Sequence, residues 1–255
     1  MRALIRDVYL RVFGTLRQPV KGVHIINSHH VTPATPGQEN ARIMHEFLAH
    51  LNQFATFISL PEAVNKIKDK QTDDAVYMTF TYDDGFEECY DYIAPALEAF
   101  NTRGTFFINA NYPESDMEYQ EGFNERVVTF TKKPMNWEQI KSLHQRGHLI
   151  GSHTLDHFNL AELDDNEIDF QLRENKQILE QKLNYQCEHF AWTYGGMQHF
   201  PDNALKIAMN YHKYIYSGTD FKHYFSRDKK VLNRRHLEAD WPKSHLDYFL
   251  SHKRT

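Results

Sequence analysis

Seven short runs of apolar and β-branched residues recur along the chain: GVHIIN (22–27), VYMTFT (76–81), GTFFIN (104–109), HLIGS (148–152), HFAWT (189–193), KYIYS (213–217) and VLNRR (231–235). Each has the length of a strand. Between most of them apolar residues fall three and four apart, over 39–55, 60–69, 86–101, 136–146, 165–184 and 202–211, which predicts helices. Asn136 with Gln139 reads as a capping box, and Gly147 as the stop of the same helix. Strands alternating with helices predict parallel βαβ units. Seven such strands predict an α/β fold with a single incomplete (β/α) barrel over residues 1–255, one strand short of eight. An open dinucleotide-binding sheet would want a glycine-rich first turn. The segment 110–134 carries no clear period and is expected to be a surface or binding loop.

The first 21 residues predict an amphipathic helix. Leu4, Ile5, Val8, Tyr9, Val12, Phe13 and Leu16 fall on one face, and Arg2, Arg6, Arg11 and Arg17 on the other. Two partners suit it: its own domain, the usual partner of such a helix, or a membrane surface, giving peripheral contact through 1–21. Arg6, Asp7 and Arg11 interrupt the apolar residues before a signal-peptide core accumulates, and no apolar run reaches membrane-spanning length, so a cytoplasmic protein is expected.

Composition narrows the function. A formal net charge of −5 provides no basic field to gather nucleic acid, which is not an expected partner. The two cysteines, Cys89 and Cys187, stand in no metal or redox spacing and read as reduced thiols.

The chemistry gathers where strands end. In a barrel, residues just past the C-terminal ends of the strands converge on one mouth. There the chain places His29 and His30, then Asp83 and Asp84, then His153 and His157, then Tyr194, and finally Arg235 and His236. His153 and His157, four apart, face one side if the chain turns helical there and can share a cation. Two histidines and one carboxylate leave positions open on Zn²⁺ or a related divalent ion for water and a substrate oxygen. The paired carboxylates of YDDG then have separate uses, since a base that was also a full ligand would lose its basicity to the cation.

These residues resemble the NodB-homology polysaccharide deacetylases, carbohydrate esterase family 4. TYDDG (81–85) is similar to that family's TFDDG motif, and HTLDH (153–157) to its H(S/T)xxH motif, with GTFFINA and RGHLIGSHTLDH close to its usual wording. The resemblance implies an incomplete barrel, metal-dependent hydrolysis of an N-acetyl amide on a sugar, Asp83 as base, and Asp84, His153 and His157 as metal ligands. Zinc is the first choice of metal, with Co, Ni, Fe or Mn as alternatives. The implied substrate is an N-acetylated sugar or glycan precursor of a cell-surface polysaccharide. Formyl amides, ester-linked acetate and small cyclic amides are alternatives on the same site, and a glycan-binding barrel without catalysis is an alternative of another class.

The chain departs from that pattern twice. Where many members carry RxPY, FAWTYGG (190–196) keeps Tyr194 but has Ala191 in place of the arginine. Arg235 is the candidate replacement, with an ordinary surface charge as the other reading. No leucine-x-histidine motif follows the last strand; instead INSHHV (26–31) resembles the circularly permuted branch, in which the acid histidine comes from the first strand. His29 aligns with that acid and His30 is its alternative. A backbone N–H near Tyr194 would help hold the oxyanion, and Trp192 and Tyr194 are the expected aromatic pocket walls.

Overall fold

The computed structural model describes the chain apart from Met1, Thr35, Asp73 and Phe221, and apart from the side chains of residues 2–5 and Val8. In chain order the elements are α1 (Arg2–Gly14), β1 (Gly22–Ser28), α2 (Gln38–Leu51), β2 (Thr56–Phe57), α3 (Leu60–Lys68) and β3 (Val76–Tyr82). A π-helical turn (Cys89–Ile93) then leads into α4 (Ala94–Ala99), followed by β4 (Thr105–Ile108), α5 (Met117–Val127), α6 (Trp137–Gln145), β5 (Leu149–Ser152) and α7 (Asp165–Leu183). The last third holds β6 (His189–Ala191), α8 (Asp202–Tyr211), β7 (Tyr214–Ser217), β8 (Phe225–Ser226), β9 (Val231–Asn233), β10 (Arg235–His236) and α9 (Lys243–Leu250).

Among the described residues, ten strands form one curled sheet in the order β10-β1-β3-β4-β5-β6-β7-β9-β8, with β2 beside β3. Every pairing is parallel except β8 with β9. The architecture is the incomplete (β/α) barrel that the alternation predicts. Its seam has a particular construction: β9 pairs with β7 at one end of the sheet and β10 pairs with β1 at the other, and a single residue, Arg234, separates the two short strands. Two pieces of one extended segment thus touch both sheet ends.

The strands are buried on both faces, as their nearly continuous apolar runs require. On one face Ile26, Met78, Phe80, Phe106, Ile108 and Ile150 pack against α2, α4, α6 and α7. On the other, Val23, Ile25, Phe107, Ala191, Tyr216 and Leu232 join α3, whose start is set by the Ser59 cap and Pro61. The Asn136–Gln139 capping box forms in both directions, and Gly147 takes φ +87° after α6.

Three expectations change. Segment 110–134 is not all loop: α5 occupies its middle, because Phe123 has a core of its own with Phe86 and Tyr112. β2, β8 and α9 were too short or too weakly patterned to stand out. The third is the stretch from His153 to His157, which is an irregular loop and not a helix, with Thr154 and His157 at φ 63° and 57°.

α1 lies on α9. Leu10 is buried there, and Gly14 comes so close that a Cβ would sit 1.8 Å from the Ser244 carbonyl oxygen. The Tyr9 ring meets Tyr248 edge to face, and the Arg17 guanidinium lies 4.8 Å over the same ring. Of the predicted helix face, the side chains of Arg2, Leu4, Ile5 and Val8 lie outside the described residues.

Candidate active site

The ends of β1, β3, β5, β6 and β10 surround a cavity of about 410 Å³. Into it come Asp83 and Asp84 after β3, His153 and His157 after β5, and His29 after β1. The backbone bends sharply to bring them there. Asp84 (φ 71°), His157 (φ 57°) and Tyr194 (φ 62°) all take the left-handed conformation, which costs a residue with a Cβ about 1–2 kcal/mol. Gly85 follows Asp84 at φ 75°, where an added Cβ would also press on Ile108 at 3.0 Å.

Asp84, His153 and His157 form a compact set. The two Nε2 atoms stand 3.4 and 3.2 Å from Asp84 Oδ1. Ligand atoms ~2.0–2.1 Å from one tetrahedral ion lie about 3.3 Å apart, so the spacing suits a shared cation. Asp84 is 1% exposed, yet neither of its carboxylate oxygens has a hydrogen-bond donor among the described residues. A buried carboxylate in that condition needs positive charge beside it. His153 Nδ1–H donates to the Ala191 carbonyl at 2.7 Å, which fixes the tautomer and turns Nε2 toward Asp84. The residues therefore fit a divalent metal ion.

The histidine loop is held from all sides. Asn109 donates to the carbonyls of His153 and Thr154, and Arg126 to those of Asp156 and His157. Gln171 exchanges two hydrogen bonds with Asp156, and Thr154 Oγ1 accepts from the His157 N–H. These bonds replace the helix that the four-residue spacing led one to expect.

Asp83 is buried and carries a different partner. Arg234 donates to both of its carboxylate oxygens at 2.8 Å, and also to the Ser217 carbonyl at 2.8 Å and Thr81 Oγ1 at 3.0 Å. Burial pushes the Asp83 carboxyl upward, but the Arg234 charge and then His153 outweigh it and hold it below the usual carboxylate range. Asp83 is thus kept ionised and oriented by Arg234. Arg235, the sequence-based candidate for this service, points the other way: its guanidinium donates to the carbonyls of Phe249 and His252, clasping the end of α9. Adjacent residues of an extended segment face opposite sides, so a one-residue difference decides the matter. Arg234→Leu strands a buried carboxylate and is expected to lower stability by about 3–5 kcal/mol in urea unfolding.

His29 stands across the cavity on a third buried carboxylate, which sequence reasoning missed. Glu238 Oε1 accepts from His29 Nδ1 and from His236 Nε2, both at 2.8 Å, and Oε2 accepts from Ser28 Oγ at 2.5 Å. Burial lowers the His29 pKa, but the hydrogen bond and charge of Glu238, with Asp84 and Asp83 behind it, raise it to about 9. His30 stacks on Phe130 at 5.1 Å, and burial takes it down to about 4 despite Glu238. The proton-holding histidine of the pair is His29.

The aromatic walls differ in part from expectation. Tyr194 lines the cavity, with its ring 5.0 Å from that of His157. Trp192 does not: it is fully buried and stacked on Phe200, and the tryptophan at the mouth is Trp241.

The polysaccharide deacetylase family model matches residues 68–214, more than half of the chain. The chain belongs to the polysaccharide deacetylase family. That match takes in Asp83, Asp84, His153 and His157, while His29, Arg234 and Glu238 lie outside it. A curated relative, a chitin deacetylase of Arthroderma benhamiae, is 30% identical over 105 residues, which is 40% of this chain and 23% of that protein. The chain thus matches less than a quarter of that relative's length. Among solved structures, IcaB from Ammonifex degensii superposes with a TM-score of 0.70 at 17% identity, over 91% of this chain and 98% of that one. The Streptococcus pyogenes deacetylase PplD gives 0.65 at 18%, over 91% and 99%. At these identities the likeness of this polysaccharide deacetylase to both is one of fold.

Proposed function

We propose that the protein hydrolyses an N-acetyl amide on a sugar, with one divalent metal ion, zinc first, held by Asp84, His153 and His157. The observation that carries this reading is the division of the cavity: a buried carboxylate without a donor between two imidazoles, a second carboxylate charged by Arg234, and a histidine charged by Glu238. The name of the chitin deacetylase relative supports an N-acetylated glycan as the substrate class. By family analogy we place the step in the cytoplasm, on a precursor of a cell-surface polysaccharide.

When bound, the ion supplies a Lewis acid that polarises an acyl carbonyl and lowers the pKa of water. Asp83, kept ionised by Arg234, takes the proton from the attacking water. The backbone N–H near Tyr194 donates to the oxygen that gains charge as the carbonyl becomes tetrahedral. His29, with Nδ1 committed to Glu238, gives its other proton to the departing nitrogen, which is a poor leaving group until protonated.

Elemental analysis and acetate release from a panel of N-acetylated sugars test this together. One equivalent of metal and acetate from at least one sugar are expected. His153→Ala should lose the metal and keep the fold, since the site lies at the barrel mouth and not in its core; undiminished metal in that variant overturns the ligand set. Release of formate instead of acetate, or cleavage of O-acetyl esters or cyclic amides alone, moves the activity to another acyl group on the same site. Sugar binding without cleavage makes the barrel a glycan-binding module.

A further inference from the structure

The outward side of α1 is apolar where a surface helix is usually polar. Tyr9, Val12, Phe13 and Leu16, at i, i+3, i+4 and i+7, are 44, 55, 43 and 82% exposed, while Leu10 and Gly14 face α9. α1 and the turn that follows it thus hold four of the large apolar side chains that stand out in solvent. Charge is segregated along with it. Residues 1–21 contain Arg2, Arg6, Arg11, Arg17 and Lys21 against Asp7, a formal +4 in a chain of −5, so the remainder carries −9. An acidic body is repelled by an anionic surface, and a basic helix with an exposed apolar stripe is attracted to one.

The position of α1 links this face to the proposed active site. The active-site cavity shares Gly218, His236 and Trp241 with a second cavity, and that cavity reaches Arg6 of α1. A third depression, between Arg6, Leu10 and Trp241, continues along the helix. A path of concave surface therefore runs from His236 to the helix.

We propose that the exposed face of α1 seats the protein on an anionic phospholipid bilayer and sets the mouth of the active site beside it. A sugar carried on a lipid would then stand within reach of the cavity by way of Trp241. The bilayer is the partner; the identification of that sugar as an N-acetylated one rests on the proposed deacetylation.

Cosedimentation of the full chain with vesicles tests the docking without substrate. Binding to phosphatidylcholine vesicles containing phosphatidylglycerol should exceed binding to phosphatidylcholine alone by ~10-fold or more at low salt and fall as salt rises. The double variant Phe13→Glu, Leu16→Glu alters only exposed positions. It should lose at least ~10-fold in binding while keeping its circular dichroism and its turnover of a water-soluble N-acetylated oligosaccharide. Equal binding to both vesicle types, or full binding by the double variant, overturns the proposal. So does a dimer seen by light scattering in the wild type and lost in the variant, since the face would then belong to a second copy. Because binding is read without substrate, a failure of docking and a failure of the deacetylase reading are separate results.

Discussion

Asp83→Asn is expected to lower turnover at least ~10²-fold while the protein still carries its metal, whereas Asp84→Asn loses metal and turnover together. The two residues are neighbours in sequence, and both are buried. Their surroundings separate them. Asp83 receives a two-point hydrogen bond from Arg234 and is thereby positioned and charged, so an amide in its place keeps an acceptor but not a base. Asp84 has no donor of its own among the described residues and faces two Nε2 atoms, so an amide there removes the charge the cation needs. Elemental analysis and single-substrate kinetics on the two variants check this. Equal loss of metal from both would abolish the distinction between base and ligand.

The alkaline limb of the rate profile should lie well above the ordinary imidazole value, and Glu238→Gln should bring it down. As the proposed acid, His29 must be protonated for the rate, and a raised pKa keeps that form to higher pH. Burial alone would lower the value; Glu238, followed by Asp84 and Asp83, carries it to about 9. A cation on Asp84 cancels part of that carboxylate's help, so the limb of the loaded enzyme is expected between 6.5 and about 9. The same linkage bears on folding: the stabilisation from the His29–Glu238 pair is complete below pH 6.5 and is lost as pH rises through about 9. With Glu238→Gln, an imidazole returned to ~6.5 would be protonated in only about one molecule in thirty at pH 8. His29→Ala should slow an N-acetyl substrate far more than an activated aryl acetate, whose leaving group departs without a proton. Equal losses on both substrates would reduce His29 to a wall of the cavity.

The proposed metal set and the proposed base were legible because they occupy two short motifs at strand ends, and strand ends can be read from apolar runs. Their supports were not. Arg234 and Arg235 are the same residue type one position apart, and only the side of the segment on which each guanidinium falls tells them apart. Glu238 follows the last strand, where an acidic residue between Leu237 and Ala239, two positions before Asp240, carries no signal of its own, and its burial depends on Ser28, His29 and His236 arriving from both ends of the chain. The four-residue histidine spacing suggested a helix because periodicity records separation and not φ; the left-handed turns at Thr154 and His157 bring the rings together by another route. Trp192 was misjudged for a related reason: strand register decides which side chain enters the cavity, and Trp192 stacks on Phe200 instead. The seven strands themselves were plain, since a run buried on both faces leaves little choice of residue.

The seam of the sheet bears on how a substrate can enter. Arg234 lies between the strand that pairs with β7 and the strand that pairs with β1, and the same side chain holds Asp83. Spreading the sheet along that line would draw the arginine off the carboxylate and leave two opposite charges buried apart. That side of the molecule is consequently the one least able to yield. The rim formed by Val127 at the end of α5 and by Val128 and Phe130 just after it makes, among the described residues, no such ion pair with Asp83. The closed edge of the sheet is thus the fixed wall of the mouth.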